Sequence, residues 1–173
     1  MQTIALPGRH PQTEAWLRSL LAAAGLPFDA VIRYRHWTSG VEANAAAEAE
    51  RLADAAPSLL VAKSFGTVVA ATAFDRNNFR PAAAVLIGTP YQAIPAADVR
   101  LLRRLARESP VLFIQQSDDP GGPASRLAST LEVVDSTVAA VPGDDHLYED
   151  VTSIAGLIRT WITRPRSSDT PAA

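Results

Sequence analysis

Short apolar runs alternate along the chain with longer segments in which apolar residues recur every three or four positions. Thr3 to Leu6 is the first short run and predicts a strand. "TEAWLRSLLAAAG" follows with Trp16, Leu17, Leu20, Leu21 and Ala24 on one side, which predicts a helix stopped by Gly25. "DAVIRYRHW" predicts a second strand, and the Ala-rich "VEANAAAEAERLADAA" a helix closed by Pro57. Leu59 to Ala62 reads as a strand and Phe65 to Phe74 as a helix that is apolar almost all round. A helix without a polar face is buried on every side, so this one belongs in the middle of the molecule.

The second half repeats the pattern. "AAAVLIGT", "PVLFIQQ" and "STVAAV" predict strands. "ADVRLLRRLARES", "PASRLASTL" and "YEDVTSIAGLIRTWI" predict helices, the last with Val151, Ile154, Leu157, Ile158 and Trp161 at helical spacing. Parallel strands need crossover connections, so strands alternating with helices predict the α/β class: a mostly parallel sheet of about six strands with helices on both faces. Residues 1–163 make one domain on this reading. Residues 164–173, rich in Pro and Ser with no apolar period, make a flexible tail. In such sheets, sites lie at the carboxyl ends of the strands.

One junction stands out under that rule. In "LLVAKSFGTVVAATAF" the strand runs straight into the buried helix through Ser64, with Ala62 two residues before it and Gly66 two after. A strand that turns abruptly into a helix lifts a serine hydroxyl above the sheet edge and aims the first helical N–H groups at a developing oxyanion. The turn demands small residues at Ala62 and Gly66. The same serine would also serve as an ordinary helix N-cap.

Composition narrows the chemistry. With 47% hydrophobic and 20% charged residues, the 173-residue chain has the make-up of a globular domain. A net charge of −2 offers no footprint for nucleic acid or for an anionic membrane, and no apolar run approaches the ~20 residues that span a bilayer. Cysteine is absent, which removes disulfides and thiolate chemistry and fits a cytoplasmic location; "MQTIALPGRH" lacks the features of a signal peptide. The chain has three histidines, His10, His36 and His146, none paired with another at metal-binding spacing, so no metal is expected. Lys63 is the only lysine, and it reads as a solvent-facing or elbow-packing residue.

A nucleophilic serine needs a histidine base, and the base needs an acid to hold its tautomer. His146 lies in "VPGDDHLY", after the last strand and before the last helix. Asp119 lies in "IQQSDDPGGP", straight after another strand. The order Ser, Asp, His, each following its own strand, is that of the α/β hydrolases. The chain here resembles the α/β-hydrolase superfamily, specifically its small lidless serine hydrolases of esterase or acylhydrolase type, over roughly Thr3 to Ile162. "VAKSFG" resembles the nucleophile elbow, with Ala62 in place of its usual first glycine. "SDDPGGP" resembles the acid turn and "VPGDDH" the histidine loop.

The resemblance implies Ser64 as nucleophile, His146 as general base and then acid, and Asp119 as the orienting acid. Asp119 is preferred to its neighbour Asp118 because it precedes Pro120. Asp144 and Asp145 are expected to solvate the loop. Backbone N–H groups of Phe65 and of the loop "PGRH" would form the oxyanion hole, where Gly8, Arg9 or His10 is in place and the family pattern selects Arg9. Tyr91, in "GTPYQ", is a candidate for lining the substrate pocket, with Trp37 and Tyr148 behind it; packing is the alternative for Tyr91. His10 and His36 are read as loop residues. Only "PYQAIPA" separates Thr89 from the next helix, so no cap domain is expected and the pocket should be open. The implied activity is hydrolysis of a small-molecule carboxylic ester or thioester without a cofactor. The rivals are a silent hydrolase-fold binding module and a peptidase or amidase on the same residues. Oligomeric state is left open.

Overall fold

The computed structural model describes residues 1–134 and 137–164. Six strands form one sheet in the order β2-β1-β3-β4-β5-β6, all parallel: β1 (Thr3–Leu6), β2 (Ala30–Val31), β3 (Leu59–Lys63), β4 (Ala84–Ile87), β5 (Val111–Gln116) and β6 (Val138–Val141). The helices are α1 (Gln12–Ala24), α2 (His36–Ser39), α3 (Ala45–Ala49), α4 (Phe65–Arg76), α5 (Ala96–Glu108), α6 (Ala124–Leu131) and α7 (Val151–Thr163).

Side chains alternate across each strand, so the two faces of the sheet recruit different layers. Ala5, Leu59, Val61, Val85, Ile87, Leu112 and Ile114 pack with Leu17, Leu20 and Leu21 of α1 and with Ile154 and Ile158 of α7. Leu6, Leu60, Ala62, Leu86 and Phe113 face the other way, against α3 to α6. Helix α4 lies between α3 and α5 on that second face, and every residue from Gly66 to Phe74 is buried, as its lack of a polar side predicts.

Two expected elements are shorter than the sequence suggests. The strand read from Asp29 to Trp37 pairs with β1 only at Ala30 and Val31, and His36–Ser39 turns into α2. The Glu48 carboxylate causes the departure by accepting the Arg35 N–H at 2.8 Å, which turns the backbone away from the ladder. The Ala-rich helix starts at Ala45, because the Asn44 side chain accepts from Ala46 and Ala47 N–H, and after Ala49 it tightens into a 3₁₀ turn over Glu50–Leu52. Of the expected last strand, Ser136 lies outside the described residues; so does the expected tail, apart from Arg164. Only residues 88–95 join β4 to α5, so among the described residues no cap is inserted at this edge of the sheet. No helix among the described residues is long and apolar enough to cross a membrane.

Candidate active site

Ser64 sits between β3 and α4 with φ 50° and ψ −118°, a strained conformation for a residue with a Cβ. Such backbone costs on the order of 1–3 kcal/mol and persists only where its surroundings fix it. The Ser64 N–H donates to the Ile87 carbonyl at 2.8 Å and its carbonyl accepts from Thr67 N–H, which locks the corner between β4 and the first turn of α4. The hydroxyl makes no capping bond to the helix. It meets His146 Nε2 instead, at 2.8 Å.

Gly66 explains why the corner is tight. A Cβ there would stand 2.6 Å from the Pro7 carbonyl oxygen and 2.8 Å from the Leu6 carbonyl carbon. Backbone from the end of β1 therefore runs against the first turn of α4, and that contact brings the loop after β1 to the serine. Gly8 lies beside it: a Cβ on Gly8 would be 3.5 Å from that of Ser64. The following carbonyl, that of Arg9, accepts from His36 Nε2 and from Trp37 Nε1, each at 2.8 Å. His36 is in turn 3.4 Å from the buried Glu48 carboxylate. Tyr34, His36, Trp37 and Phe65 form one cluster of rings beneath this loop.

Asp119 is 2% exposed in the turn after β5. His146 Nδ1 lies 2.9 Å from both of its carboxylate oxygens. Tyr148 donates its hydroxyl to Oδ2 at 2.6 Å and the Gly121 N–H donates to Oδ1 at 2.7 Å. Burial pushes the Asp119 carboxyl up, but the hydrogen bonds from His146 and Tyr148, the imidazolium charge and the Gly121 amide outweigh it, so the group is held below its ordinary range. An ionised Asp119 has only acceptors to offer, so the proton of neutral His146 belongs on Nδ1 and the Nε2 lone pair faces Ser64.

The loop carrying His146 is held by side chains at several points. Its N–H donates to Gln116 Oε1 at 2.8 Å and its carbonyl accepts from Lys63 Nζ at 2.9 Å. Asp145 accepts from Gln116 Nε2 and from the Leu147 N–H. Tyr148 is 2% exposed, and its hydroxyl also accepts from Gln116 N–H. Gly88, at φ 60°, leaves room for this packing: a Cβ there would lie 2.8 Å from the Tyr148 ring and 3.1 Å from the His146 ring.

The structure thus brings Ser64, His146 and Asp119 into one hydrogen-bonded chain at the carboxyl ends of β3, β6 and β5. Asp118 is exposed, and its backbone N–H donates to the Gly143 carbonyl at 3.0 Å. Phe65 follows Ser64 at the head of α4. A cleft of about 550 Å³ opens over Ser64, walled by Gly8, Arg9, Thr13, Trp16, His146 and Leu147, so Arg9 shares it from the loop after β1. Tyr91 is placed elsewhere. It is 3% exposed, packs on Gly122 and donates its hydroxyl to Pro123 at 2.6 Å, so it supports the acid turn and does not border the cleft. Trp37 props the Arg9 carbonyl. Tyr148, a pocket-lining candidate from the sequence, supports Asp119 instead, and Lys63 and Gln116 were not legible as site residues; only their positions next to Ser64 and at a strand end pointed their way. Among the described residues no group of three or more His, Asp or Glu side chains gathers to hold a metal ion.

No family model and no curated protein matches the sequence. Solved structures do. Alpha/beta hydrolase domain-containing protein 10 from mouse superposes with a TM-score of 0.57 at 14% identity, covering 93% of this chain and 89% of its own. A YdeN-like hydrolase from Pectobacterium atrosepticum does so with a TM-score of 0.51 at 17% identity, covering 95% and 92%. Likeness at such identities is one of architecture: this chain has the α/β-hydrolase fold.

Proposed function

We propose that the chain is a serine hydrolase that cleaves small-molecule carboxylic esters or thioesters through an acyl-enzyme. The observation carrying this reading is the linear chain from Asp119 through His146 to Ser64, with contacts of 2.9 and 2.8 Å, in a serine hydroxyl that leaves the helix uncapped. The names of both solved neighbours, each of which carries the word hydrolase, support the same class.

Ser64 Oγ attacks the carbonyl carbon while His146 Nε2 takes the hydroxyl proton; Asp119 stabilises the imidazolium so formed. The tetrahedral oxyanion accepts from the backbone N–H groups of Phe65 and Arg9. The first of these heads α4 and has no partner within the helix. Collapse expels the alcohol or thiol, which leaves with the proton from His146. Water then attacks the acyl-Ser64 ester, gives its proton to His146, and the acid departs as Ser64 regains its hydrogen. No step calls for a cofactor. With no cap above the sheet, the cleft admits substrates from the open side.

Intact-mass measurement during turnover of p-nitrophenyl esters and acyl thioesters tests the reading. An acyl adduct on Ser64 that disappears with substrate exhaustion is expected; hydrolysis unaffected by Ser64→Ala would overturn it.

A further inference from the structure

Lys63 is the one lysine of the chain and is 3% exposed. Strand alternation sends it to the face of the sheet that Leu59 and Val61 share with α1 and α7. There its ammonium lies 4.4 Å from the centre of the Tyr148 ring and 5.3 Å from that of Trp16, and donates to the His146 carbonyl at 2.9 Å. Burying an ammonium is unfavourable unless its charge and its donors find partners. A methionine would fill the same space without that cost, so packing alone does not account for a lysine here.

What Lys63 holds is the backbone of a residue at φ 64°, a left-handed conformation uncommon outside glycine. The other backbone polar group of His146, its N–H, is held by Gln116. Both ends of the base's own residue are thus fixed by side chains from strand ends. One of those side chains belongs to the immediate neighbour of the nucleophile, so a single peptide bond and a single hydrogen bond link Ser64 to the His146 backbone.

We infer that Lys63 is a positioning residue, whose ammonium clamps the His146 carbonyl and thereby keeps the imidazole on Ser64. The inference rests on the serine hydrolase reading above. Misplacement of a reacting group by about 1 Å costs roughly 100-fold in rate, so loss of the clamp should cost ~10- to 100-fold.

The charged and titratable groups facing Lys63 are Asp119 from the acid turn and Asp145, His146 and Tyr148 from the histidine loop; α1 contributes Trp16, and Glu149 borders the same cleft. Burial lowers the Lys63 ammonium to about 8, against the pull of Asp119 and Asp145. Above that pH the neutral amine keeps a weaker N–H donor and loses its attraction to the two rings.

The test is the second-order rate of labelling by a fluorophosphonate probe between about pH 6 and pH 9.5, for wild type, Lys63→Met and Ser64→Ala, beside thermal melts of each. The wild-type rate should fall above neutrality with a midpoint near 8, as the Lys63 ammonium loses its proton. Lys63→Met should fold, label ~10- to 100-fold more slowly and show no alkaline fall. A Lys63→Met rate within about twofold of wild type, or an alkaline fall that survives in it, overturns the clamp alone. Should that variant fail to fold, Lys63→Gln, which keeps an N–H donor on a shorter side chain, decides: slowed labelling with unchanged melting supports the clamp, and a rate within about twofold of wild type overturns it. No labelling of folded wild type, or labelling that persists in Ser64→Ala, overturns the hydrolase reading and the clamp with it.

Discussion

Gly66 and Pro7 are in backbone contact: a Cβ on Gly66 would stand 2.6 Å from the Pro7 carbonyl oxygen. Neither partner is a flexible side chain, so the first turn of α4 or the end of β1 must move if anything larger than glycine stands there. Gly66→Ala is therefore expected to lose at least about 2 kcal/mol of stability and most Ser64 reactivity together. Denaturant unfolding with parallel probe labelling checks it. A variant as stable and as reactive as wild type would show that this approach does not set the corner.

Asp119→Asn should leave the fold in place and lower kcat by about 10⁴, because an amide facing His146 no longer dictates which ring nitrogen carries the proton. The carboxyl also links stability to pH. Its folded pKa lies below the ordinary value, so its contribution is fully present above about pH 4 and is lost as pH falls through the lower folded value. Acid unfolding curves of wild type should therefore steepen below about pH 4, relative to those of Asp119→Asn.

Tyr148→Phe removes the donor to Asp119 Oδ2 and the acceptor for Gln116 N–H while keeping the ring. The stranded Gln116 N–H should cost about 1–3 kcal/mol. The reaction should slow about tenfold in kcat with KM unchanged, since the hydroxyl acts on the base through Asp119 and does not border the cleft. Steady-state kinetics on an ester substrate separate the two parameters.

Lys63 gives a stability signature of the same sense as Asp119, in an alkaline window. Its folded pKa, about 8, lies below the 10.5 of a free lysine. Between those values the unfolded chain binds more protons than the folded one, so wild-type stability should rise with pH in that window and level off below about 8. The full span corresponds to roughly 3 kcal/mol at most. Urea unfolding of wild type minus Lys63→Met, compared at about pH 7 and pH 10, isolates it.

The order of strands and helices was legible because apolar period alone separates buried parallel strands from crossover helices. The helix Phe65–Arg76 announced its central place by lacking a polar face. Ser64, Asp119 and His146 were legible because each follows a strand, and in a parallel sheet all strand ends meet at one edge. The rest depended on contacts far apart in sequence. Glu48 turns the chain away from β2 at Arg35, from thirteen residues further along. Tyr91 looked like a cleft residue from its place after β4, yet the space above Gly122 drew its ring into the core. Lys63 read as solvent-facing or elbow-packing beside the serine; the fold buries it, and only the fold shows the His146 carbonyl that its ammonium meets.

The central claim is that Ser64 is an activated nucleophile, and fluorophosphonate labelling of the folded protein tests it most directly. Wild type should label covalently at Ser64, and labelling should vanish in both Ser64→Ala and His146→Ala. A folded wild type that stays unlabelled, or a His146→Ala variant that labels as fast as wild type, would contradict it.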